Sequence, residues 1–106
     1  MKKIIRGTKN VFVDLGLPDA ADRQTKTRLA LAVNEIVAAL KLKQVEIAEI
    51  LGVPQPKVSA LANYRLDGFS VERLMQFLTA LDRDVEIVIR PHMKKTGMGK
   101  ILVTAR

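Results

Sequence analysis

Gly52 constrains this chain more than any other residue. It stands within QVEIAEILGVPQPKVSALAN, residues 44–63, where the apolar positions are spaced as two short helices meeting at a sharp turn would need. Before it, Ile47, Ala48 and Leu51 share one helical face, and the alanine lets a second helix approach closely. After it, Val53 plugs the gap beneath the turn, and Val58 and Leu61 give the second helix an inward edge. A helix that stops and reverses here needs a left-handed residue, which glycine supplies without steric cost. Pro54 and Pro56 suit the first turn of the following helix, where a missing N–H matters little because those donors have no partner inside the helix. The pattern is a helix-turn-helix, and such a motif reads DNA.

The second helix, from Gln55 to about Tyr64, is expected to turn Gln55, Lys57, Ser59 and Ala60 outward. No acidic residue falls between Pro54 and Leu66. An ordinary helical hairpin would share the apolar spacing and the glycine, but its solvated face would mix both signs of charge. A glutamine at the helix start can bond an adenine edge through two atoms of its amide. The expected DNA contacts are Gln44, Gln55, Pro56, Lys57, Ser59, Ala60, Asn63, Tyr64 and Arg65. Within that set Gln55 and Lys57 read bases or adjacent phosphates, while Gln44 and Asn63 anchor the backbone.

The flanks provide a scaffold. From Pro18 and Asp19 an amphipathic helix of roughly twenty residues runs to Leu40, with Leu29, Val33, Ile36, Val37 and Leu40 on one face. A loop over 64–69 turns at Asp67-Gly68. Ser70 then caps a helix to about Leu81 whose Val71, Leu74, Phe77, Leu78 and Leu81 point inward. Arg73 occupies the place where a capping box would want Glu or Gln, so only the simple cap is expected. Over 84–90 the period changes: Val85, Ile87 and Ile89 alternate with Glu86, Val88 and Arg90, the mark of a strand. A lone strand leaves its backbone unpaired. Its neighbour could be 100–104 (KILVT) folding back as a hairpin, the 10–13 segment, or the same strand of a second subunit. A helix-turn-helix that reads paired half-sites favours the second subunit, with the hairpin beside it, which makes Val85, Ile87 and Ile89 the dimerisation residues.

With 106 residues, 48% of them hydrophobic, the chain has room for one core. It divides into a basic N-terminal segment, 1–17, a helical core, 18–82, and a strand with a basic tail, 84–106. The net charge is +7, and it is unevenly spread. Residues 1–10 and 90–106 hold nine of the basic residues and no acid, whereas 11–89 set the other nine against all eleven acids. Phosphate attraction would then come from the tails together with Lys41, Lys43, Lys57 and Arg65. The neutral to acidic remainder, including Asp14, Asp19, Asp22, Glu46 and Glu49, suits a basic protein partner.

Other chemistry is weakly signalled. The absence of cysteine excludes disulfides, thiolate metal sites and a cysteine nucleophile, and it fits a reducing cytoplasm. MKKIIRGTKN reads as neither a signal peptide nor a membrane span. His92 has no second ligand nearby, and Gly97-Met98-Gly99-Lys100 lacks the spacing of a phosphate loop. No enzyme, metal site or cofactor is expected.

Residues 44–63, with Gln44 and Gln55 each opening a helix, resemble the Cro/repressor-type (XRE) helix-turn-helix family. In that family the first glutamine touches a phosphate and braces the second, which reads a base; the resemblance implies the same roles here. NVFVDLG, the long QVEIAEILGVPQPKVSALANYRLDGFSVERLMQFLTALDRDVEI and the strand-like ending are similar to HigA-like antitoxins encoded beside RelE/HigB-type ribonuclease toxins. The fold so implied is mainly α: a Cro/repressor-like bundle of about four to five helices with a C-terminal β-strand. The function implied is that of a dimeric, cytoplasmic, nucleoid-associated repressor of its own operon that also binds a cognate toxin. A stand-alone regulator without a toxin, or a module that binds only protein, would share much of this sequence.

Overall fold

In the computed structural model, residues 18–93 and 97–105 are described. The basic segment 1–17, with NVFVDLG and the 10–13 strand candidate, lies outside them, as do Lys94, Lys95 and Arg106. Four helices follow one another: α1 (Pro18–Ala39), α2 (Gln44–Leu51), α3 (Gln55–Ala62) and α4 (Val71–Ala80). α1 packs across α4 and α3, and α2 lies against α3 and α4.

The four share one core. α1 contributes Leu29, Ala30, Ala32 and Val33, and the two alanines keep its buried stripe thin enough for close packing. Ile47 and Leu51 come from α2, Val58 and Leu61 from α3, and Leu74, Phe77 and Leu78 from α4. Leu66 and Phe69, from the loop between α3 and α4, are also buried. Phe69 meets Phe77 edge to face, with ring centroids 5.8 Å apart at 79°. Leu40, expected on the inner face of α1, is instead 54% exposed. The helix stops at Ala39, the chain reverses at Lys41, and Leu42 takes the position against the core.

All four helices end the same way. The residue that closes each turn is left-handed: Lys41 (φ 56°), Gly52 (φ 70°), Tyr64 (φ 57°) and Asp82 (φ 64°). Just beyond it, the N–H groups of Leu42, Val53, Arg65 and Arg83 donate to the carbonyls of Val37, Ala48, Ala60 and Leu78, five residues back. These paired bonds satisfy carbonyls that a helix terminus otherwise leaves without partners. Only one of the four ends uses the residue for which that conformation carries no steric cost. At the other end of α4, the Ser70 hydroxyl accepts from the Arg73 N–H at 3.0 Å, the simple cap expected from sequence.

The C-terminal segment departs from expectation. No strand forms among the described residues, and 84–90 and 100–104 do not pair into a hairpin. Val85 and Val103 lean on the core, but Ile87, Val88 and Ile89 are 69%, 72% and 56% exposed. The alternating pattern finds no second strand among the described residues, and Ile87 and Ile89, expected to be buried against a second subunit, are exposed on the single chain.

Candidate nucleic-acid interface

The turn between α2 and α3 is built as Gly52 requires. Its backbone is left-handed (φ 70°, ψ 37°), its N–H donates to the Ala48 carbonyl at 2.9 Å, and Val53 donates to the same oxygen at 3.1 Å. An added Cβ would meet nothing within 4 Å, so this glycine is needed for its φ rather than for space. α2 is itself secured at its start by Glu46, whose Oε1 accepts from the Lys43 N–H at 2.8 Å.

α3 begins at Gln55, with Pro54 as its extended cap and Pro56 in its first turn. No side chain caps it. The Pro54 carbonyl accepts from Lys57 N–H at 2.9 Å, and the prolines bring no donors of their own, so the helix start can face solvent without stranding N–H groups. Gln55, Pro56, Ala62 and Asn63 are exposed. Ser59 is half-buried, and Ala60, expected outward, packs partly against the core. Gln44 is exposed at the first position of α2.

The far end of α3 is held from two sides. Asn63 Nδ2 donates to the Ser59 carbonyl at 2.9 Å, which turns part of its amide toward its own helix. Asn34, half-buried on α1, donates Nδ2 to the Leu61 carbonyl at 3.1 Å. Sequence reasoning missed Asn34; the signal was a lone amide at the margin of an otherwise apolar stripe, beside Val33. Tyr64 and Arg65 follow, both exposed. Tyr64 also borders a shallow cleft of about 90 Å³ with Arg23, Lys26 and Thr27 of α1.

Lys57 differs most from expectation. It is half-buried, with Nζ donating to the Gly68 carbonyl at 3.0 Å and lying 4.9 Å from the centre of the Phe69 ring. The other cations around the motif, Lys41, Lys43 and Arg65, are exposed and make no such contact among the described residues. No group of three or more His, Asp or Glu side chains among the described residues could hold a metal ion. No helix there is long and apolar enough to cross a membrane.

Two helices crossing at a left-handed glycine, with an exposed, acid-free helix start, define a helix-turn-helix protein. The helix-turn-helix domain family matches residues 11–90. A solved structure described as an XRE family transcriptional regulator is 55% identical, superposes with a TM-score of 0.79, and is covered over 100% of its length by 84% of this chain. No curated protein matches. The chain belongs to the XRE family of helix-turn-helix domains, a DNA-binding class of transcriptional regulators.

Proposed function

We propose that this protein represses transcription by occupying an operator as a two-fold dimer, with α3 in the major groove. The observation that carries the proposal is the start of α3, where Gln55 stands exposed on a helix set by the Gly52 turn and free of acidic neighbours. Gln55 reads a base edge and Ser59 supports it. Pro56 is small enough at the surface to let the backbone come close, and Gln44, Asn63, Tyr64 and Arg65 hold phosphates and set the register. Two copies joined through 84–90 would present two α3 helices to half-sites about one helical turn, roughly 34 Å, apart. Repression is then steric.

The test starts from a duplex that the full chain enriches from a randomised library, compared with a scrambled duplex of equal composition. A bidentate glutamine contact contributes about 1–3 kcal/mol of discrimination. Gln55→Ala should therefore lower the ratio of the two affinities, while Gln44→Ala should weaken both alike. An unchanged ratio for Gln55→Ala means that another element reads the sequence.

An antitoxin role is the finer part of the proposal. It is supported by the resemblance of the flanks and by exposed acids on α1 and α2, helices other than α3. Asp22, Glu46 and Glu49 are exposed there, although Asp22 already pairs with Lys26 at 3.0 Å and Glu46 caps α2. Glu49 is thus the most available of the three to a basic toxin. Co-purification of the chain with the product of the adjacent gene tests this role. If the two do not associate, the chain is a regulator alone.

A further inference from the structure

Lys57 is the third residue of α3, in a first turn that contains no acid. A cation there opposes the helix dipole, so its placement needs a compensating partner. The structure supplies two: the Gly68 carbonyl at 3.0 Å and the face of the Phe69 ring at 4.9 Å. Phe69 is buried and is held by its edge-to-face contact with Phe77 of α4.

Gly68 explains itself the same way. Its φ is not positive, so the backbone does not call for glycine. A Cβ at this position would instead meet Lys57 Nζ at 2.6 Å. The glycine makes room for the ammonium.

We propose that Lys57 is a positioning residue for the DNA-reading helix rather than a DNA contact. Its ammonium clamps the first turn of α3 to the loop carrying Gly68 and Phe69, and so sets how Gln55 is presented to the groove. This proposal rests on α3 being the reading helix. It separates charge from position: a lysine that touches phosphate acts through its charge, whereas a clamp acts through where that charge is held.

The experiment uses the full chain, the enriched duplex and its scrambled counterpart. Lys57→Met removes the ammonium but keeps most of the stem. Gly68→Ala keeps the charge but puts a methyl 2.6 Å from the present position of Nζ, so the flexible end of Lys57 must move from where it sits. Each should lower the ratio of enriched to scrambled affinity several-fold, within the roughly ten- to hundredfold discrimination that one bidentate glutamine contact supplies. The salt dependence of binding to the scrambled duplex should not change, and the double variant should be no worse than the worse single one.

The opposite pattern overturns the clamp. If Lys57→Met weakens both duplexes alike and lowers the salt slope by about one, while Gly68→Ala binds both at least as well as wild type, then Lys57 is a phosphate contact. Thermal unfolding reads the clamp without DNA: the losses in Tm for the two substitutions should not add, and additive losses mean that the contact is absent. A wild-type chain that enriches no sequence refutes the reading role of α3 and the positioning role with it, even if the thermal coupling remains.

Discussion

The helical body, 18–82, and the C-terminal segment, 84–105, solve the same problem in different ways. In the helices the backbone bonds lie within each element, and each C-terminus is closed by a left-handed residue and a bond reaching five residues back. Their apolar side chains meet in one core, where Leu74 and Phe77 are 0% and 1% exposed. The C-terminal segment is richer in β-branched residues, yet among the described residues none of it pairs as a strand, and Ile87, Val88 and Ile89 lie open. Local periodicity suffices for a helix, whose hydrogen bonds lie within it. A strand is complete only when another strand arrives.

The comparison breaks most easily in the core. Phe77→Ala should destabilise the helical body by about 3–5 kcal/mol through cavity formation and loss of the contact with Phe69, as read by denaturant unfolding. Val88→Ala, in the open segment, should change the stability of the monomer by less than about 0.5 kcal/mol. Equal effects would mean that the two regions are not distinct.

Gly52→Val should cost a few kcal/mol, on the order of the strain of placing a β-branched residue at positive φ. Sequence-specific DNA binding should fall with the fold. A variant that melts at the wild-type temperature would show that the turn tolerates another backbone conformation.

Ile87→Asp sharpens the contrast because it should leave the helices nearly untouched. It places a charge where the proposed partner strand would bury it, an unfavourable exchange for an unpaired carboxylate. Sedimentation should shift toward monomer while the far-ultraviolet helical signal persists. An unaltered dimer would move the interface elsewhere.

The smallest effect concerns the helix ends. Lys41→Gly and Asp82→Gly relieve left-handed backbone at non-glycine residues and should each raise stability by up to about 1 kcal/mol, after the added entropy of the unfolded chain is deducted. A loss of stability in both would mean that the side chains, not the backbone, favour those turns.

What the sequence made legible follows the same division. The Gly52 turn, the Ser70 cap and the inward faces of α2, α3 and α4 depend on residues within a few positions of one another, and each is found where the spacing placed it. The end of α1 was misjudged at Leu40 because Lys41, an ordinary residue by type, adopts the left-handed turn. Lys57 looked outward because periodicity assigns a face within its own helix. It says nothing of a loop eleven residues later that covers that face. Asn34 was missed for the same reason, since its partner is the carbonyl of Leu61 on another helix. The strand expected over 84–90 does not form among the described residues, because alternation specifies which side chains share a face and not which chain supplies the neighbour.

The helical body is complete in one chain, and the proposed dimer requires that 84–90 be completed by a second copy. Amide hydrogen exchange, followed residue by residue over a range of protein concentrations, tests this most directly. Amides in α1 and α4 should be protected at every concentration, while alternate amides across 84–90 should become protected only as the dimer forms and lose that protection in Ile87→Asp. Rapid exchange across 84–90 in a chain that sediments as a dimer would contradict it.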